Sequence, residues 1–369
     1  MRRRTLLATV GAGLAAGCSE SIPLLDPEET PSETDDAPPG PDTPPESPPT
    51  TTDEPTDSEP TDTTEQTTEE PTRAEREAAQ LLARARTKLG EAHASYVGFA
   101  GGERATLLDV TVATEVNVAA VTNHVGAAQD ALADMPRRAG GDQITAARRL
   151  RRLAAFYREA VRCQNALGDA YGEFEFVVGR LFADQTGLVS DSTATIRENR
   201  ETAAGHLDTI EDESTAEDAA ALDALDSGTY TAKVGQFRRA ISAFGTLPAT
   251  LGRVKRGFDA FRRGGDAYLD EQYFEARRAF ETVGTELDPA SDTLSSLDAP
   301  APMTDAVDDL TAVSNTLVTA AVDLELAADA GTRGSRGDRQ TAFADAQAHL
   351  EDATVAPDRL EIVRRLLRR

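Results

Sequence analysis

Ten residues set the fold class of this chain. Leu150, Leu153, Tyr157, Ala160, Gln164, Leu167, Tyr171, Phe174, Val178 and Leu181 follow one another in alternating steps of three and four. That spacing gathers side chains on one face of an α-helix, whereas on a strand it would scatter them over both faces. The stripe lasts for about nine turns. It predicts a single long helix over about 142–184 with a heptad-like seam against a neighbour. Gly168, Gly172 and Gly179 run beside the stripe. Each interior glycine costs about 1 kcal/mol relative to alanine, so three of them point to a second helix packed very close, or to a ligand reaching the backbone.

The same periodicity continues on both sides. Thr72-Arg73-Ala74-Glu75 is a capping box that opens a helix carrying Ala79, Leu82, Leu89 and Tyr96. A second pattern spans about Arg104 to Met135. Its valines, Val110 to Val118, leave a strand open at the start, while the alanines that follow favour helix. Ser214-Thr215-Ala216-Glu217 is another capping box, and helices are predicted at about 215–226, 230–247 and 249–271. Tyr273 to Leu287, Thr304 to Ala330 and Arg339 to Ala353 continue the series, with a short last helix from Asp358. Prolines 289, 300, 302 and 357 and the run Gly331 to Gly337 punctuate it. The expectation is an all-α body over 73–369, built of antiparallel helical hairpins, with a sub-boundary allowed near 187–214.

Residues 19–72 cannot join that body. They hold 13 of the chain's 19 prolines, 17 acidic groups and no basic one. Such a segment buries too little apolar surface to offset its ordering entropy, so it reads as a disordered tether. At ~3.1 Å per residue its full extension would be roughly 160 Å. Before it, residues 1–18 read as a targeting segment: Arg2 to Arg4, a short apolar stretch from Leu6 to Ala16, then Ala15-Ala16-Gly17-Cys18. Arg3-Arg4-Thr5-Leu6-Leu7 resembles the twin-arginine export signal, with Arg3 and Arg4 as its pair. Leu14-Ala15-Ala16-Gly17-Cys18 resembles a lipobox. That resemblance implies cleavage before Cys18 and a lipid on its thiol, hence a chain held on the outer face of the cytoplasmic membrane.

The formal charge is −26, and lysine occurs only at positions 88, 233 and 255 against 35 arginines. Low Lys, abundant Asp, Glu, Ala and Thr, and no Trp resemble the proteins of extremely halophilic archaea. In concentrated salt the Debye length is about 3 Å or less, so self-repulsion is screened. An acidic surface also lacks the basic footprint that nucleic-acid binding needs. No Asn-X-Ser/Thr acceptor occurs.

Gly265-Asp266-Ala267-Tyr268 followed by Tyr273, Ala276, Phe280 and Pro289 resembles one tetratricopeptide unit. Ala240 and Phe244 precede Ala276 and Phe280 by 36 residues, and Gly-Asp-Ala-Tyr recurs at 168–171. The resemblance implies an α-solenoid-like scaffold in which Gly265 and Tyr268 on a first helix pack against Ala276 and Phe280 on a second. It further implies a groove for a partner protein, and no catalysis.

Nothing in the sequence assembles chemistry. His93, His124, His206 and His349 have no His or Cys partner at metal-ligand spacing, and none completes Glu-x-x-His. No Gly-x-Ser-x-Gly elbow, P-loop or calcium loop occurs. Arg336-Gly337-Asp338 spells an adhesion tripeptide that chance accounts for in a Gly/Arg-rich loop. Cys163 lies among apolar helical positions and reads as a buried thiol. Neither catalytic residue, metal nor cofactor is expected. The expected role is a non-catalytic binding or scaffold lipoprotein of the cell envelope, its partners being membrane lipid through Cys18 and another envelope protein. The alternative is a solute-binding lipoprotein that serves a transporter. At the C-terminus Leu360, Val363, Leu366 and Leu367 share a face ringed by arginines. That helix either caps the core or docks onto anionic lipid or the acidic tether.

Overall fold

Side-chain burial at every turn of its stripe makes the 142–184 segment one continuous helix. The computed structural model describes residues 70–102, 104–353, 355 and 360–369. The expectations for Arg3, Arg4, Cys18 and the tether fall outside these residues, as do Pro357, Asp358 and Arg359. Among the described residues there are nine α-helices and no strand. They are α1 (Arg73–Gly98), α2 (Val118–Ala133), α3 (Gly141–Phe182), α4 (Val189–Glu213), α5 (Ser227–Leu269), α6 (Tyr273–Ser295), α7 (Thr304–Thr332), α8 (Arg336–Glu351) and α9 (Glu361–Leu367). The all-α class therefore holds. Up to α8 each helix packs on the next in the chain, and α9 returns to α5 and α8.

All ten stripe residues of α3 are buried except Tyr171, which is half-buried. The Thr72 capping box is present: Thr72 N donates to Glu75 Oε2 at 2.7 Å and Glu75 N to Thr72 Oγ1 at 3.2 Å. Reciprocal bonds of this kind satisfy two orphan donors at the start of α1. Ala78, not Ala79, turns into the core beside Leu82, Leu89 and Tyr96.

Several expectations are corrected. The first half of the 104–135 pattern is not helical. It forms a 3₁₀ turn at Leu107–Asp109 and an irregular segment up to Asn117, which caps α2. The capping box expected at 214–217 does not form: Thr215 N and Oγ1 both donate to Asp218 at 3.0 and 2.9 Å, and only a 3₁₀ turn, Asp218–Ala221, follows. The two helices expected at 230–247 and 249–271 are a single one of 43 residues, with Pro248 inside it. An interior proline costs about 3 kcal/mol. Here Phe244, Leu247, Pro248, Thr250 and Leu251 are all buried, and tertiary packing carries the helix through. Pro289 likewise lies within α6 and does not close a unit. Ala240, Phe244, Gly265 and Tyr268 thus all stand on α5.

The segment 187–214 is no boundary. It is mostly α4, which packs on α3 and α5 and adds Ile196, Ala203, Leu207 and Ile210 to the common core. The stretch Ala301–Thr332 is apolar and long enough to cross a bilayer, but its Val307, Leu310, Val313, Leu317, Ala321 and Leu324 are buried against the rest of the protein. The glycines beside the α3 stripe do not admit a helix. A methyl group at Gly172 or Gly179 would meet nothing within 4 Å, and one at Gly168 would lie 3.6 Å from the Val112 carbonyl.

Candidate functional site

The irregular segment 107–117 needs partners for backbone groups that a helix would have paired internally. Side chains from α3 and α5 supply them. Lys233 Nζ donates to Val110 O at 2.6 Å, Gln164 Nε2 to Thr111 O at 2.6 Å, and Gln236 Nε2 to Leu108 O at 3.1 Å. The two glutamine oxygens close the set, accepting from the same ammonium at 3.1 Å (Gln164) and 2.8 Å (Gln236). Three donors thus meet three oxygens, a geometry that a tetrahedral ammonium fills and a planar guanidinium does not. Lys233 is fully buried, and its charge lies 4.6 Å from the Phe237 ring centroid and 5.6 Å from that of Tyr96. Burial pulls the ammonium down to about 7.

The segment so pinned forms one wall of a cleft of about 350 Å³. Thr111 and Val112 stand on that wall, Gln236 and Ala240 of α5 on the floor, and residues 298–304 opposite. Prolines 300 and 302 stiffen the far wall. The Tyr171 hydroxyl of α3 donates chiefly to Glu175 Oε1 at 2.8 Å and reaches Pro302 O of that wall at a longer 3.3 Å. Burial and the neighbouring Glu175 raise that hydroxyl to about 12, so it stays a donor. Arg239 and Asp298 line the cleft as exposed residues, and among the described residues neither has an ion-pair partner within 4.0 Å. A cleft with one free cation and one free anion at its edge, an amide on its floor and an apolar remainder can bind. It brings no nucleophile and base together.

Other polar clusters are internal braces. Glu159 is buried and accepts from Arg158 Nε at 2.6 Å, Arg162 at 3.2 Å and His206 Nδ1 at 2.8 Å. Burial would raise this carboxyl, but the Arg158 and His206 bonds outweigh it and hold it below the usual range. Asp259 ties Lys255, Arg262 and Thr186 together at the α3–α4 connection. His93 contacts the Tyr157 hydroxyl at 2.8 Å, and His124 and His349 face Glu91 and Asp323. Cys163 is buried, and burial pushes its thiol up to about 12 despite the nearby ammonium. Among the described residues no group of three or more His, Cys, Asp or Glu could hold a metal ion.

The four residues of the repeat-like motif sit at the α5–α6 hairpin in unequal roles. Ala276 and Phe280 are buried on α6, and Phe280 meets Phe261 edge-on at 5.9 Å. The glycine that admits the Phe280 ring is Gly264, where an added Cβ would lie 2.7 Å from Cε1. Gly265 instead faces Ile362 of α9. Tyr268 stacks on Phe343 of α8 at 5.1 Å with the rings 8° from parallel. The C-terminal helix caps this end: Ile362, Val363 and Leu366 are buried, and Gln347 Nε2 donates to Leu366 O at 2.8 Å.

Sequence reasoning passed over Lys233 as a functional candidate. Its signal was nonetheless there: one of three lysines, in register with Tyr230, Phe237, Ala240 and Phe244 on an apolar face. Comparison with protein-family models, curated proteins and solved structures finds no match for this chain.

Proposed function

We propose that this chain is an exported binding protein of the cell envelope, anchored by lipid at Cys18 and adapted to concentrated salt. Its helical body acts without catalysis and seats a segment of another envelope protein in the cleft between 111–112, α5 and 298–304. The observation that carries the reading is the cleft itself, whose 111–112 wall is fixed from α3 and α5 by buried or half-buried polar side chains, with the Tyr171 hydroxyl of α3 in reach of the other wall. Side chains held in this way preorganise a surface, and preorganisation lowers the entropic cost of association. The sequential hairpins α1 to α8 are compatible with a solenoid-like scaffold. Export rests on Arg3 and Arg4, and the anchor on the Leu14 to Cys18 motif.

A second reading has one observation in its favour. The cleft volume of about 350 Å³ falls within the roughly 300–1,000 Å³ of small-molecule sites, and its Arg239 and Asp298 would suit a zwitterionic solute passed on to a transporter.

Affinity capture from membranes at native salt tests both. Ala301 lines the cleft and is exposed, so Ala301→Trp fills the cleft without disturbing the core. A protein retained by the wild-type chain and lost from Ala301→Trp supports the first reading. Equal retention by both would remove the cleft from the account. A captured transporter whose retention depends on an added amino acid would favour the second. Cys18→Ala should move the chain from the membrane to the medium.

A further inference from the structure

A second cavity, of about 190 Å³, opens where the ends of α5, α6, α8 and α9 meet. Its wall carries Tyr268, Tyr273, Arg339, Gln340, Phe343 and Arg369, and no Asp or Glu side chain. In a chain of net charge −26, a hollow faced by two guanidinium groups and no acidic side chain is against the trend of the surface. Arg339 bonds to the Tyr273 hydroxyl and lies 5.2 Å from that ring's centroid, and among the described residues no carboxylate comes within 4.0 Å of it. Gly331 at the end of α7 gives the Tyr273 ring its room. Arg369 donates to Leu269 O at 2.8 Å, and among the described residues the acidic side chain nearest to it is the exposed Glu271 at 3.8 Å, beyond hydrogen-bond reach.

Tyr268 supplies the second observation. It is 5% exposed, lines the cavity, and is locked by its stack on Phe343. Among the described residues its hydroxyl makes no hydrogen bond, although the atom is not sealed from solvent. A hydroxyl held this way, fixed by its ring and open to the cavity, is free to donate to whatever occupies it. Burial, with Tyr273 beside it, raises this phenol in spite of Arg339 and Arg369, so it stays a proton donor. Every charged or hydroxyl side chain on the wall can therefore offer a proton, and none of these side chains is an anion.

We propose that this cavity is an oxyanion site that seats a small phosphate or carboxylate ion. Arg339 and Arg369 supply the charge, and the Tyr268 hydroxyl and the Gln340 amide supply further donors. Guanidinium forks match both kinds of oxyanion. The site is separate from the cleft of the proposed function, and each can fail without the other.

The chain contains no Trp and six Tyr, so tyrosine fluorescence reports on it directly. The full chain, at one fixed KCl concentration, is titrated with inorganic phosphate and separately with succinate. Saturable binding of one ion per chain is expected, and the ion that saturates identifies the source. Arg339→Gln and Arg369→Gln should each weaken it about tenfold, and Tyr268→Phe about threefold. Tyr268→Phe removes only an unpartnered hydroxyl and keeps the stack, so its melting temperature should match that of the wild type. It therefore decides the matter even if Arg339→Gln folds poorly. Absence of saturation with both ions, or an affinity unchanged in Tyr268→Phe and Arg369→Gln, would overturn the assignment.

Discussion

The two halves of α5 hold their neighbours by opposite means. In the N-terminal half, fully buried Lys233 and half-buried Gln236 reach out to an irregular segment and satisfy its carbonyls. In the C-terminal half, Gly257, Gly264 and Gly265 offer no side chain, and Leu287, Phe280 and Ile362 press against the bare backbone. The first arrangement secures a chain segment with no hydrogen-bonded pattern of its own. The second brings regular helices together by shape. A polar clamp is costly to break because each partner left behind is buried and unpaired. A glycine contact is costly to fill because a packed core gives way only slightly.

The contrast can be broken at the clamp first. Lys233→Met leaves Val110 O and two glutamine oxygens without their donor. The expected loss is about 4 kcal/mol in chemical denaturation at neutral pH. A loss below about 1 kcal/mol would mean the ammonium is dispensable.

The clamp also carries a pH signature. In the folded chain Lys233 titrates at about 7, whereas unfolded it titrates near 10.4. Between these values the unfolded chain keeps the proton and the folded chain does not. Stability from this group is therefore lowest below pH 7 and rises as pH increases towards about 10, by about 1 kcal/mol per pH unit. The rise should be present in the wild type and missing from Lys233→Met when the two denaturation series are subtracted.

At the other end of α5, Gly264→Val drives a side chain into the Phe280 ring. The expected cost is about 2 kcal/mol, with no change in the pH dependence just described. A pH slope altered by Gly264→Val would show the two halves to be coupled. The smallest effect is a gain. Glu271 closes the α5–α6 turn at φ +61°, a left-handed conformation that costs a side-chain-bearing residue about 1 kcal/mol. Glu271→Gly should raise stability by about that amount in a thermal melt.

What the sequence made legible follows the same division. Where packing is periodic, as along α3, a stripe of apolar residues marked the element almost to its ends. Where a residue answers a partner far along the chain, local pattern was silent. The valines at the start of 110–118 read ambiguously because the carbonyls there are paired from afar, Val110 O by Lys233 more than 100 residues away and Thr111 O by Gln164. The break expected at Pro248 failed because burial on all sides outweighs one lost hydrogen bond. The repeat-like motif marked a real hairpin, but Gly265 answers to α9 and Gly264 to Phe280, a distinction that spacing alone does not carry. Neither cavity was legible, since each is assembled from three or more separate elements.

Hydrogen exchange in concentrated KCl, comparing the wild type with Lys233→Met, tests most directly whether one buried ammonium holds the cleft wall in place. Amides of 107–117 should exchange faster in the variant by about 100-fold or more, while those of α6 and the C-terminal half of α5 stay protected. Equal exchange of 107–117 in both chains would contradict the account, as would a uniform rise across α5 and α6.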